Sequence, residues 1–281
     1  MNAKPNQLFN QIINCPLLTK SGNTPCSSIQ SIQSGNNRRQ VPEPWSGKIE
    51  TSSFLIIAAN PALDSNEVFP SKDPSWGNWN DMGDGKTLWT DKDAEFYFEG
   101  RFGNAVCPAV NLPYFDSTKK TVLSCTPAGI SKKKVQNSYW QKYNEYCRAI
   151  DANFIDYDYV VTDIVHCKGP KGIGTNLAAP ICSRFTKQIV ELFANNDSVT
   201  HSILIFGRSN SSKCFLQTLG IGHSSSIGHY QYKKTGKRNE IYKSTIKISG
   251  RDVDVYYFIP APSGSSRGCC PVDFLTKPID W

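Results

Sequence analysis

Four short apolar runs recur along the chain, and each ends in a turn signal. They are Phe54 to Ala59, Tyr159 to His166, Ser202 to Gly207 and Val253 to Pro260, all rich in Val, Ile, Tyr or Phe. The first, Phe54-Leu55-Ile56-Ile57-Ala58-Ala59, is apolar without alternation, the pattern of a strand buried on both faces. It stops at Asn60-Pro61, because proline cannot continue a central ladder and biases the residue before it towards extended or turn conformations. Helical spacing lies between the runs. Asp91 to Gly100 has acidic residues early and ends at glycine, while Ser138 to Ile150 places Tyr139, Tyr143, Tyr146, Cys147 and Ile150 largely on one side. Pro180 to Ala194 opens with proline in its first turn and repeats Ile181, Phe185, Ile189 and Phe193 at i, i+4 spacing. Cys214 to Leu219 is a shorter helical candidate.

Strands alternating with helices predict an α/β fold, a three-layer α/β/α sandwich around a central, mostly parallel four-stranded sheet. Residues 1–53 read as an irregular lead-in. Residues 65–90, with Trp76, Trp79, Trp89 and several glycines, read as a long loop over the strand ends. Neither a repeat nor a linker divides the chain, so residues 1–281 are expected to form a single domain. Three strands end in polar or turn segments: Asn60-Pro61, Asp163 to Lys168, and Pro260-Ala261-Pro262-Ser263-Gly264. In a parallel sheet these carboxyl ends gather on one rim, the usual place for an active site.

Composition narrows the classes. With 39% hydrophobic and 11% aromatic residues the chain is globular. No apolar run approaches the roughly 18 residues of a membrane span. The opening MNAKPNQLFNQIINC lacks the apolar core of a signal peptide. A cytoplasmic monomer with no membrane partner is expected, its ten cysteines reduced, metal-bound or buried. Net charge is +7, with runs at Lys119-Lys120, Lys132-Lys133-Lys134 and Lys233 to Arg238. These read either as solvated loops or as a footprint for a polyanion.

Read in order, the strand ends resemble the uracil-DNA glycosylase superfamily. Ala58-Ala59-Asn60-Pro61-Ala62 stands where that family has its first, Asn-Pro-type turn. Thr162-Asp163-Ile164-Val165-His166-Cys167-Lys168-Gly169-Pro170 is similar to the middle strand of its iron–sulfur branch, and Ala261-Pro262-Ser263 to its closing His-Pro-Ser. The similarity spans about residues 38–270. Gln40-Val41-Pro42-Glu43-Pro44-Trp45 and Asn66-Glu67-Val68-Phe69-Pro70 also resemble a bacterial subgroup. It extends to an antiphage branch that removes glucosylated hydroxymethylcytosine from phage DNA.

The resemblance implies roles. Asn60 would position the attacking water, with Asp64 or Glu67 as a carboxylate base nearby. Asp163 stands where the family usually has an asparagine that reads the pyrimidine edge. An ionised carboxylate only accepts hydrogen bonds, so it would oppose uracil O4, at about 1–3 kcal/mol, and favour a cytosine amino group. Against this, Asp163 could cap Lys168 or a backbone turn, or be protonated. Phe69 and Phe102 are candidates for stacking on an extruded base, with core packing the commoner fate of such rings. Ala261 replaces the histidine that would stabilise the departing base. His166, Lys168 or Arg267 could substitute for it, or activity could be slow, redirected or lost. Ser263, Ser265 and Arg267 suit a loop that pinches DNA phosphates beside the basic Lys168, although a plain Gly-Ser turn would look the same.

Cysteine placement adds a second feature. Cys167 follows the middle strand and Cys182 lies fifteen positions on, a placement similar to the second ligand pair of the iron–sulfur glycosylases. Cys15 and Cys26, with ten residues between them, would supply the first pair. A [4Fe–4S] cluster on Cys15, Cys26, Cys167 and Cys182 is expected, with zinc or simply buried thiols as the alternatives. The resemblance as a whole implies a DNA glycosylase acting on phage or damaged DNA. Its target would be a modified cytosine, with uracil repair or a non-catalytic DNA-binding protein as rivals.

Overall fold

The four apolar runs form the four parallel strands of one sheet. The computed structural model describes residues 5–18, 22–35, 41–59, 61, 95, 97–102, 106–107, 112–113, 121–126, 129–134, 139–169, 175–195, 201–206, 215–221, 225–231 and 238–258. In chain order these give α1 (Pro5–Ile13), α2 (Ser27–Gly35), β1 (Phe54–Ala58), β2 (Val106–Cys107), β3 (Leu112–Pro113), β4 (Thr121–Thr126) and β5 (Gly129–Lys134). There follow α3 (Tyr139–Ile150), β6 (Tyr159–Asp163), α4 (Thr175–Ala194), β7 (Ser202–Phe206), β8 (Ser225–Gln231), β9 (Arg238–Ile248) and β10 (Arg251–Phe258). The main sheet has six strands in the order β6-β1-β7-β10-β9-β8. Its first four run parallel, and β9 and β8 continue it antiparallel.

Side-chain alternation divides two apolar layers. Leu55 and Ile57 of β1 join Val160, Ile203, Ile205, Val253 and Val255 beneath α1 and α4. Phe54 and Ile56 turn the other way, with Tyr159, Val161, Leu204, Phe206 and Phe258, towards Tyr143, Tyr146 and Cys147 of α3. Strands buried on both faces need this uninterrupted apolar pattern. The result is the expected α/β/α layering, with a wider sheet. No described helix is long and apolar enough to cross a membrane.

Three expectations change. Residues 1–53 are not an irregular lead-in: α1 buries Leu8, Phe9, Ile12 and Ile13, and α2 follows it. Their i, i+1, i+4, i+5 stripe is a helical one set among Asn and Gln. The sheet has six strands because 225–231 and 238–248 form a hairpin on β10, where charge and polarity masked the strand pattern. Helix α4 begins at Thr175, five residues before Pro180, so Pro180 lies inside it and Cys182 is not in its first turn. The preceding Leu177, Ala178 and Ala179 are favourable helix formers, which outweigh one proline near the start.

The open edge of β6 is covered. Ser46 bridges Val161, its N–H donating to the Val161 carbonyl at 2.7 Å and its carbonyl accepting from the Val161 N–H at 2.9 Å. Gly47 then turns away with φ +102°, and a Cβ there would lie 2.4 Å from the Tyr159 carbonyl oxygen. That oxygen belongs to a central layer and cannot yield. Gly47→Ala is therefore expected to lower unfolding free energy by at least about 2 kcal/mol. A urea midpoint equal to that of the parent would show that this turn is not seated on β6.

Candidate functional site

Strand order places the site. From β1 the chain crosses to β6 on one side and later returns to β7 on the other, so the order reverses at β1. In open α/β sheets, ligands bind at the carboxyl ends beside such a reversal. Pairing of β1 with β6 continues past the strands themselves. The N–H groups of Ile164, Val165 and Gly169 donate to the carbonyls of Ala58, Ala59 and Pro61 at 2.9, 3.0 and 3.1 Å. The segment after β6 is thereby laid along the main chain of Ala58, Ala59 and Pro61.

Asp163 closes β6, opposite Ala58. It is 4% exposed, and its main-chain carbonyl accepts from the Thr186 hydroxyl at 3.0 Å. Burial pushes its proton affinity well above the usual carboxylate range, and the neighbouring Glu43 adds to the effect, while Lys168 and Arg101 oppose it. The surroundings thus favour the neutral acid over the ionised acceptor. Glu43 is itself buried and paired with the Arg101 guanidinium. The Ser46 hydroxyl donates to Glu43 Oε1 at 3.1 Å. Arg101 also stacks over Tyr97 and Trp140, 5.5 and 5.3 Å from their ring centres. Neither Glu43 nor Arg101 was singled out as a site residue from sequence. The signal available was a glutamate between two prolines in an otherwise apolar stretch, Val41-Pro42-Glu43-Pro44-Trp45.

His166 is placed as a strut. Its Nδ1 lies 2.8 Å from the Glu43 carbonyl, which can only accept, so the proton sits on Nδ1. Its Nε2 is then an acceptor 3.3 Å from the hydroxyl of Thr186 in α4, whose single proton is shared with the closer Asp163 carbonyl at 3.0 Å. Nδ1 is committed to Glu43 and Nε2 lies against Thr186, so the buried ring faces the inside of the fold. Lys168, expected on a basic rim, is 2% exposed, and its carbonyl accepts from Gln33 of α2 at 2.9 Å. It sits within the electrostatic reach of Asp163, not at an open phosphate-binding surface. Phe102 is also redirected: it packs edge-on against Trp140 and Tyr159, at 4.8 and 5.3 Å between ring centres. Tyr159 opens the strand that Asp163 closes, about 13 Å away. Phe102 therefore belongs to the α3 layer.

The four expected thiols come together. Cys26 feels Cys15, Cys182 feels Cys26 and Cys15, and Cys167 feels all three, so every pair lies within electrostatic reach. Three are buried, Cys15 is partly exposed, and all are free thiols. Burial and mutual repulsion raise the Cys167 and Cys26 thiols and push Cys182 up to about 12. The main-chain N–H of His166 donates to the Cys182 sulfur. Such a donor set suits a soft metal, whose positive charge would replace the protons. Among the described residues no three His, Cys, Asp or Glu are grouped to hold a single metal ion.

Asn60, Asp64, Phe69, Ser263, Ser265, Arg267 and Ala261 lie outside the described residues. Compared with protein-family models and with characterised proteins, the chain matches none.

The buried imidazole makes a measurable contribution. Burial lowers its pKa from 6.5 to about 4, against the opposing effect of main-chain hydrogen bonds to Glu43 and Pro44. Stability from this residue is complete above pH 6.5. It is lost as pH falls towards 4, because the unfolded chain takes up a proton that the folded one refuses, a loss of roughly 3 kcal/mol. Asp163 titrates in the opposite sense, since its folded form keeps a proton that the unfolded form releases. The informative quantity is thus the difference between the parent and His166→Gln. Urea midpoints of the two should converge from pH 7 to pH 4; parallel curves would mean that the imidazole is not buried.

Proposed function

We propose that the protein is a monofunctional DNA glycosylase that takes a pyrimidine out of the stack and hydrolyses its N-glycosidic bond. One observation carries the reading. A buried carboxyl group, that of Asp163, closes β6 beside the main chain of Ala58, Ala59 and Pro61. A buried carboxyl group at the carboxyl end of a parallel strand can hydrogen-bond the polar edge of a ligand. A base edge supplies hydrogen-bonding groups of the right kind. Asn60, immediately before Pro61, would hold the water that attacks C1′, with Asp64 near it. The substrate is a modified cytosine in phage DNA, with glucosylated hydroxymethylcytosine the specific proposal. A second reading has a specific observation in its favour: a neutral Asp163 both donates and accepts, as an amide does, so it could also face uracil.

Incubation with strands carrying uracil, cytosine, hydroxymethylcytosine and its glucosylated form, read by mass spectrometry of free base, tests this. Release from the modified cytosines is expected, with a fall of at least about 100-fold in Asn60→Ala. Release of uracil alone would select the repair reading, and binding without release the non-catalytic one.

Cys15, Cys26, Cys167 and Cys182 would hold a [4Fe–4S] cluster, which on this reading fastens the amino-terminal helices to β6 and α4. The fit rests on four thiols within mutual reach and a main-chain donor to one sulfur. Protein purified without oxygen is expected to contain iron and sulfide in equal amounts, both lost in Cys167→Ser. Stoichiometric zinc would instead select the other metal, and metal-free, fully folded protein would remove the cluster.

A further inference from the structure

We propose that the β4–β5 ribbon is an arm that grips duplex DNA by its backbone, with Lys132, Lys133 and Lys134 on neighbouring phosphates. The proposal rests on the glycosylase reading, which requires a DNA partner, and adds where the duplex is held.

Charge is concentrated in this part of the chain. From Ser117 to Asn144 the sequence has six lysines and no acidic residue. The whole protein carries a net +7, so the remainder is close to neutral. Strands made soluble by charge ordinarily mix both signs, whereas this stretch carries one. Like charges so close repel each other, and a polyanion relieves that repulsion while releasing its own counterions.

The fold gives these lysines a scaffold. Strands β4 and β5 pair antiparallel, from Thr121 opposite Lys134 to Thr126 opposite Gly129. They form a sheet of their own, separate from the six-stranded one. A ribbon of this length spans about 20 Å, and two strands alone are only marginally stable in water. The major groove of duplex DNA admits a ribbon of two strands. Lys132, Lys133 and Lys134 occupy the end away from the turn, opposite Leu123, Val122 and Thr121. Lys119 and Lys120 directly precede β4 in the sequence.

That basic end is tethered close to the rim. Six residues after Lys134, Trp140 of α3 has its ring 5.3 Å from the Arg101 guanidinium. Arg101 pairs with Glu43, the charged neighbour of Asp163. Six residues of chain reach at most about 21 Å, which bounds the separation of Lys134 from Trp140. One turn of duplex is longer, about 34 Å. A duplex whose flipped base enters at the rim therefore passes within reach of the ribbon. Lys168 is buried beside Asp163, which leaves the phosphates to other cations.

Fluorescence anisotropy of a labelled duplex of about 20 base pairs, at about 50 to 300 mM KCl, tests the arm. Each phosphate neutralised contributes about 0.9 to the slope of log affinity on log salt. The triple variant Lys132→Gln, Lys133→Gln, Lys134→Gln should bind at least about tenfold more weakly, with a slope smaller by about 3. The loss should be equal on cytosine and hydroxymethylcytosine duplexes, and arginine at the same three positions should preserve the parent's slope. Glutamine at three exposed lysines elsewhere, Lys48, Lys187 and Lys247, removes the same charge and should leave the slope nearly unchanged. If the triple variant lacks the parent's urea midpoint, the single variants replace it, each expected to lower the slope by about 1. Folded variants with the parent's affinity and slope overturn the proposal, leaving the lysines as guards of a strand edge. So does an equal loss in the control, or a parent that binds phosphatidylglycerol vesicles and not DNA. Base release untouched by the ribbon variants keeps the glycosylase and removes the arm. Salt-dependent binding through the ribbon without base release keeps the arm and removes the glycosylase.

Discussion

Two opposite charges buried against each other, Glu43 and Arg101, set the conditions at the carboxyl end of β6. Removing a carboxylate and a guanidinium from water is unfavourable by several kcal/mol each, and only close pairing with further hydrogen bonds offsets it. Here the Ser46 hydroxyl reaches both partners, and two aromatic rings lie against the guanidinium. The pair joins segments 58 residues apart. It also fixes a negative charge beside Asp163, whose own ionisation then becomes unfavourable. Losing either partner would leave the other charged and buried, so the arrangement holds as a whole or not at all.

The five residues from Asp163, which ends β6, to Cys167 carry two kinds of chemistry. Asp163 ends on the rim, His166 ties the loop to Glu43 and to α4, and Cys167 joins the thiols. The His166 main chain serves both sides, since its carbonyl accepts from Glu43 and its N–H donates to Cys182. A disturbance among the sulfurs therefore reaches the Glu43 segment through one residue, without any long pathway.

The four parallel strands were readable because burial on both faces demands continuous apolar runs; the polar β8 and β9 lack that form and were not. The grouping of Cys15, Cys26, Cys167 and Cys182 was suggested by the resemblance and not by spacing alone. The helices of residues 5–35 were hidden by their Asn and Gln positions, although Leu8, Phe9, Ile12 and Ile13 form a stripe. Roles for His166, Lys168 and Phe102 could not be read from sequence, because a residue type names a chemistry and burial decides whether it is used. His166 has the right nitrogens and spends both inside the fold; Phe102 has the right ring and meets Trp140. Glu43 escaped notice because it lies far from the strand ends in sequence and reaches them only when its segment docks on β6.

The docking of Ser46 on Val161 has a consequence for the life of the chain outside the folded state. A parallel edge strand with its backbone groups bare is a template for another copy. Residues that occlude it come from the amino-terminal side, so they are made before β6 and are ready when it emerges from synthesis. Chains clipped ahead of Gly47 would present Tyr159-Val160-Val161 as a sticky margin, and self-association would then compete with refolding.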